Sequence, residues 1–294
     1  MQLGFIGFGA MGRPMAEHLL RAGHGLSVWS RRPESAAALI AQGALWRASP
    51  AEVARHCDVV FTNVTGSTDV EELAFGPQGL AQGFAPGGLH VDFSTIAPSV
   101  ARRIATGYAA HAADFVDAPV SGGSVGAQNA SLAIMWGGKS ALATRLQPFF
   151  EVLGKTIVRV GEAGAGQVAK ACNQMVMVAA IEAAAEAARL AAASGVDFAR
   201  VRTAMLGGSA GSRVLDVFGG RMSAREFAPG VEARLHHKDY ALLMDEATRI
   251  GAPLPVSATV GQQLNAVMAQ GWGKEDTSSL LRVLEAGSGS GPAR

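Results

Sequence analysis

The polar side chains of Lys170, Asn173 and Gln174 stand in the mostly small and apolar stretch GAGQVAKACNQMVMVAA, residues 164–180. Desolvating an ammonium costs several kcal/mol, roughly, unless something compensates, so a lysine in such a segment calls for a use. Lysine's ordinary pKa of about 10.4 keeps it a proton donor at neutral pH, and one positioned donor contributes about 10²–10⁴-fold where charge builds on an oxygen. Partial burial favours the amine that the reverse reaction needs, and a nearby substrate carboxylate opposes that shift. On a helix, positions 170, 173, 174 and 177 share one face, so Lys170 and Asn173 can point together into a cleft. A second cluster, Ser121-Gly122-Gly123, offers a hydroxyl and unobstructed backbone N–H groups, a nest that binds a carboxylate without a full charge.

A third cluster lies near the start of the chain. The run LGFIGFGAMGRPM places Gly7, Gly9 and Gly12 in a GxGxxG pattern after an apolar strand, with Phe8, Ala10 and Met11 between them and Pro14 opening a helix. Glycines permit the tight turn, and the helix N-terminus meets a pyrophosphate, so this context predicts a dinucleotide site. The next strand should end beside the adenosine ribose, where an acidic residue selects NAD. Here Ser30, Arg31 and Arg32 stand there, with no carboxylate in the run. Arginine pairs with a 2′-phosphate, which predicts NADP(H) as the preferred coenzyme, with NAD(H) as the alternative.

The elements that must position these clusters follow from periodicity. Through about residue 160, short apolar runs alternate with helical stretches, which predicts βα units and a mostly parallel sheet. Strands are expected at Leu3–Ile6, Leu26–Trp29, Asp58–Val64, Leu89–Ser94, Asp114–Asp117, Leu132–Trp136 and Thr156–Val160. In SPAEVA, Ser49 can cap a helix, Pro50 fits its first turn and Glu52 completes a capping box. After Gly161 no strand is expected; a helix from Gln167 to Ser194, capped by Gly195, would extend roughly 40 Å.

The fold class expected is therefore α/β: an N-terminal Rossmann-like dinucleotide-binding domain, residues 1–161, then an all-α domain, 162–287, with a long interdomain helix. That helix is expected to pack against the first domain, another subunit, or both. The tail 288–294 has linker composition and is expected to be flexible.

Composition narrows the function classes. The 294 residues are 49% hydrophobic and 17% charged, as in a globular protein, and a formal net charge of +1 gives no bias toward nucleic acid or anionic membrane. No apolar run reaches the ~20 residues of a membrane span, and a first strand at Leu3 leaves no room for a signal peptide. Cys57 and Cys172 belong to no metal or disulfide pattern, so no metal is expected and a cytoplasmic location is. Cys172 is expected as a small core residue. Adjacent His236 and His237 do not share a helix face and make no metal site by themselves.

Three further segments carry a resemblance. DAPVSGG at 117–123, GAGQVAKACNQ at 164–174 and KDYALLMDEA at 238–247, taken in order, resemble the β-hydroxyacid dehydrogenase family over essentially the whole chain. The resemblance implies interconversion of a β-hydroxyacid with its semialdehyde or ketone by NAD or NADP, in a homodimer or homotetramer. It matches Lys170 to the family's essential lysine, Asn173 to its polar neighbour, and Ser121, Gly122 and Gly123 to the loop that holds the substrate carboxylate. It places Asn63, Val64, Thr95 and Lys238 at the coenzyme.

The segments LGGSAGSRVLD, EFAPG and LHHKD look most like the branch that reduces 2-hydroxy-3-oxopropanoate to D-glycerate. Two departures from the family pattern stand out: VTGS after Asn63 lacks a proline, and Asn129–Ser131 replaces a Gly-Thr before a strand. The first bears on the nicotinamide side and the second on the substrate pocket. A 3-hydroxyisobutyrate dehydrogenase or another β-hydroxyacid relative would use the same residues. A non-catalytic NADP(H)-binding protein is the alternative of another class. Imine reductases share the architecture but, by the same resemblance, tend to lack a lysine at position 170.

Overall fold

A computed structural model describes residues 1–287; the tail expected at 288–294 lies outside the described residues. The chain divides into two compact units, Met1–Lys170 and the part from Ala171 onward.

In the first unit strands and helices alternate along the chain. The order is β1 (Gln2–Ile6), α1 (Gly12–Arg21), β2 (Gly25–Trp29), α2 (Ala37–Ala41), β3 (Leu45–Trp46), α3 (Pro50–Arg55), β4 (Val59–Thr62), α4 (Ser67–Phe75), β5 (Leu89–Asp92) and α5 (Pro98–Ala109). There follow β6 (Asp114–Asp117), β7 (Val120–Ser121), α6 (Gly123–Gln128), β8 (Leu132–Gly137), α7 (Ala143–Leu153) and β9 (Gly154–Gly161). The strands form one sheet in the order β3-β2-β1-β4-β5-β6-β8-β7, with β9 paired to β8.

From β3 to β6 every pairing is parallel, while β8 runs antiparallel to β6 and β7. This is a doubly wound sheet, and its order reverses between β1 and β4, where such folds open a ligand crevice. Side chains alternate between two buried clusters: Leu3, Phe5, Phe61 and Val91 on one side, Ile6, Val60, Tyr108 and Phe115 on the other. Both faces are covered, which is why the strands read as continuous apolar runs.

All seven expected strands form. The two that sequence periodicity missed, β3 and β7, span two residues each, too short for alternation to register. Ser49 caps α3 as its position predicted, accepting the Glu52 N–H at 3.1 Å.

The helix α8 (Ala165–Ala193) begins in the first unit and continues into the second; its 29 residues extend about 43 Å. The second unit continues with α9 (Phe198–Leu206), α10 (Gly220–Ala224), α11 (Ala233–Ile250), α12 (Pro255–Ala269) and α13 (Leu280–Gly287). Among the described residues it contains no strand, only an isolated bridge between Glu232 and Asp276.

Val178, Ile181, Ala185 and Ala188 on α8 recur at helical spacing and enter one core with Leu243, Leu264, Val267 and Leu280. Cys172 is exposed, not a core residue. Two helical steps turn the chain by about 200°, so Cys172 faces away from the buried Lys170 and Gln174, each two residues from it. No helix of the described residues is long and apolar enough to cross a membrane.

Candidate active site

The glycine turn sits at the point where the sheet order reverses. Gly7 follows β1 with φ +99°, a conformation that favours glycine, and a Cβ there would lie 2.2 Å from the carbonyl oxygen of Asn63. A Cβ on Gly12 would lie 2.0 Å from the Gly7 carbonyl oxygen, so the start of α1 packs directly on the turn. Gly9 differs: nothing stands within 4 Å of its missing Cβ, and Gly9 and Ala10 are exposed. Two glycines thus close the backbone while the third leaves an open cradle before a helix N-terminus, with no acidic residue in its first turn. These features fit a dinucleotide pyrophosphate. Asn63, after β4, is tied to β1 by its N–H to the Ile6 carbonyl, and Val64 donates its N–H to Ser94 Oγ at 2.8 Å.

Beyond β2, Ser30 Oγ bonds Ser35 Oγ at 2.8 Å and accepts the Arg32 N–H, shaping the turn that carries Arg31 and Arg32. The expectation that no carboxylate lies at this edge is overturned. Asp69 of α4 pairs with Arg31 at 3.0 Å. The partner comes from a remote element, which a local run of residues does not reveal. The Arg31 side chain is 67% exposed, so the pair contributes about 0–1 kcal/mol and leaves further guanidinium donors for a phosphate.

Lys170 is buried, and its Nζ donates to the Val120 carbonyl at 2.8 Å. That bond ties it to β7, which ends at Ser121. Gly122 and Gly123 follow with φ +138° and +63°, so both positions need glycine, and a Cβ on Gly123 would meet nothing within 4 Å. The structure therefore brings Lys170 and the Ser121-Gly122-Gly123 loop together. Thr95, between Ser94 and Ile96, is half-buried.

A buried polar chain that sequence reasoning missed supports this end of the sheet. Tyr108 OH bonds His90 Nδ1 at 3.0 Å, His90 Nε2 bonds Thr62 Oγ1 at 2.8 Å, and Thr62 Oγ1 donates to Asp92 Oδ1 at 2.7 Å. Burial lowers the His90 pKa to about 3, so this imidazole is neutral near pH 7. Asp92 Oδ1 also accepts from the Ser94 hydroxyl at 2.6 Å and its N–H at 3.2 Å. Alternating polar residues at the ends of β4 and β5 were the available signal.

In the second unit, Asn173 Nδ2 donates to Gln174 Oε1 at 2.9 Å, and Gln174 Nε2 donates to Asp239 Oδ2 at 2.6 Å. Lys238 Nζ lies 3.2 Å from Asp239 Oδ1, so the buried Asp239 carboxylate meets Lys238 directly and Asn173 through Gln174.

Comparison with known proteins gives the geometry its family. Residues 2–161 match the family described as the NAD binding domain of 6-phosphogluconate dehydrogenase, and residues 164–284 the one described as NAD-binding of NADP-dependent 3-hydroxyisobutyrate dehydrogenase. The 2-hydroxy-3-oxopropionate reductase of Escherichia coli K12 is 41% identical over 285 residues, 97% of each chain. This chain belongs to the β-hydroxyacid dehydrogenase family. Two solved structures agree. The Mycobacterium tuberculosis 3-hydroxyisobutyrate dehydrogenase with L-serine is 30% identical, with TM-score 0.90 over 96% of this chain and 98% of the other. Psf3 in complex with NADP+ and 2-OPP is 28% identical, with TM-score 0.84 over 96% and 99%.

As a β-hydroxyacid dehydrogenase, the chain is an NAD(P)-dependent oxidoreductase. The loop Val64–Ser67 is held without proline: besides the Val64 bond to Ser94, Ser67 Oγ accepts the Ala97 N–H at 3.1 Å. Ala130, in the turn before β8, takes φ +50°. A side chain in the left-handed region costs about 1–2 kcal/mol, so the turn before β8 is strained.

Proposed function

We propose that this β-hydroxyacid dehydrogenase uses NADPH to reduce a small carboxylated semialdehyde, with 2-hydroxy-3-oxopropanoate going to D-glycerate. The observation that carries the reading is the buried Lys170 Nζ, held 2.8 Å from the Val120 carbonyl next to the Ser121-Gly122-Gly123 loop. A proton donor stands there beside a nest suited to a carboxylate, the two groups that reduction of an aldehyde acid requires.

In this reading Ser121, Gly122 and Gly123 bind the substrate carboxylate, and Lys170 delivers a proton to the carbonyl oxygen as negative charge develops on it. Bound coenzyme supplies the hydride. Gly7 to Gly12 hold its pyrophosphate, Asn63, Val64 and Thr95 bound its nicotinamide side, and Ser30, Arg31 and Arg32 take the 2′-phosphate. Asn173 and Lys238 keep the roles the family resemblance implies. Residues 1–161 form the coenzyme domain, and 162–287 the part concerned with substrate and assembly, in a cytoplasmic homo-oligomer.

The substrate assignment is supported by the name of the Escherichia coli relative and the NADP preference by the two arginines. The test is a panel of tartronate, methylmalonate and succinate semialdehydes, each with NADPH and NADH. The highest kcat/KM is expected for tartronate semialdehyde with NADPH; no preference for it overturns the substrate assignment, and equal use of both coenzymes overturns the NADP assignment. Lys170→Ala should lower kcat by about 10²–10⁴-fold with NADPH binding intact. Unchanged activity overturns the proton-donor role.

A further inference from the structure

The first turn of α8, which carries Lys170, has an unusual capping arrangement. A helix starts with N–H groups that lack intrahelical partners, commonly satisfied by an N-cap side chain. The residue at that place is Gly164, which has none. Asp117, at the end of β6, substitutes for it. Its Oδ1 accepts the Gly164 N–H at 2.6 Å, and its Oδ2 accepts the Gln167 N–H at 2.8 Å.

Gln167 is thereby released from the backward reach that a capping box gives its third residue. Its side chain spans to another loop: Nε2 donates to the Ser94 carbonyl at 2.8 Å, and Oε1 accepts the Ile96 N–H at 3.1 Å. These two bonds straddle Thr95. The arrangement is closely packed, since a Cβ on Gly166 would lie 2.6 Å from the carbonyl oxygens of Asp117 and Met135, and one on Gly137 would lie 2.8 Å from Asp117 Oδ1.

We infer that Asp117 and Gln167 are positioning residues that hold the Lys170 helix and the Thr95 loop in one register. Lys170 lies one helical turn beyond Gln167, so a shift in the start of α8 moves its Nζ against Val120 and Ser121. Asp92 faces Asp117 across β5 and β6 and organises Ser94, so both ends of the Gln167 bridge rest on buried carboxylates. Burial raises the Asp117 pKa to about 7; the two N–H donors oppose that rise and the neighbouring Asp92 charge adds to it. A carboxyl so expensive to ionise is retained where it aims two loops.

The inference rests on the reading of Lys170 as proton donor, and the test separates the two. Asp117→Asn keeps the shape but loses one acceptor, and Gln167→Ala removes the bridge without touching the carboxyl. Both are compared with Lys170→Ala in the full chain, using tartronate semialdehyde or the panel's best aldehyde, with active enzyme counted by NADPH titration. In each variant kcat should fall about 10–100-fold per NADPH-binding site, while the NADPH Kd changes less than about threefold, because a misplacement near 1 Å is costly to chemistry and not to coenzyme binding. Gln167→Glu, which keeps an acceptor for Ile96, should recover part of the loss.

A kcat within twofold of the parent in both variants overturns the inference, as does a loss matched by lost NADPH sites, the sign of a merely structural role. If Asp117→Asn does not fold, Gln167→Ala decides by the same criteria. An active Lys170→Ala overturns the proton-donor reading and the inference with it. An inactive Lys170→Ala beside normal Asp117 and Gln167 variants overturns the inference alone.

Discussion

Asp117 and Glu182 are two buried carboxyl groups, one against the start of α8 and one in its second half, and burial pushes each up to about 7. Their surroundings differ. Asp117 accepts two backbone N–H groups at a helix N-terminus, where the macrodipole also favours negative charge. Neither oxygen of Glu182 has a hydrogen-bond partner among the described residues, and Glu186 adds like charge. Equal burial therefore has unequal meaning. In the first unit the cost of a buried carboxyl is offset by bonds that set geometry; in the second it stands largely uncompensated.

The contrast is broken most directly by catalysis. Asp117→Asn should lower kcat by about 10–100-fold while Glu182→Gln stays within about twofold of the parent, measured by steady-state kinetics at saturating NADPH. Similar losses in both would erase the distinction. A smaller effect concerns packing. Gly166→Ala places a Cβ 2.6 Å from two carbonyl oxygens and should cost about 1–3 kcal/mol, enough to lower Tm by several degrees. Ala180→Gly, in the middle of the same helix, should cost about 1 kcal/mol by propensity alone. A Gly166→Ala protein as stable as the parent would show that the start of α8 has slack.

A pH-dependent effect sharpens the Glu182 side. Its carboxyl titrates near 4.5 unfolded and near 7 folded, so the folded state favours the protonated acid. The resulting stabilisation is fully present below about pH 4.5 and is lost as pH rises through about 7. Glu182→Gln does not ionise and should gain about 1–2 kcal/mol relative to the parent at pH 8.5, with the gain shrinking toward pH 5. Thermal melts across that range would show a difference that grows with pH. A constant offset would mean that Glu182 remains ionised, or remains neutral, throughout.

Local features were legible in the sequence because their causes are local. The glycine spacing from Gly7 to Gly12, the Ser49 cap and the Gly195 turn, with φ +70°, are each carried by a few consecutive residues. Lys170 was legible as an anomaly of polarity inside an apolar helix, and Cys172 was misplaced because composition alone does not say which side of a long helix faces a core. The pairing of Arg31 with Asp69 was out of reach for a different reason: the two residues share no period.

By itself, then, the sequence determined the doubly wound coenzyme fold, the helical second part and the family, and it singled out Lys170 and the Ser121-Gly122-Gly123 loop. The fold follows from periodicity and steric freedom, and the family from a resemblance carried by short segments. Tertiary structure alone decided that Asp117 accepts the N–H of Gly164, 47 residues later, that Gln167 reaches a carbonyl 73 residues earlier, and that Lys170 meets Val120. The physical reason is that a buried polar group must find its partner wherever the chain brings one, and burial is a property of the packed molecule.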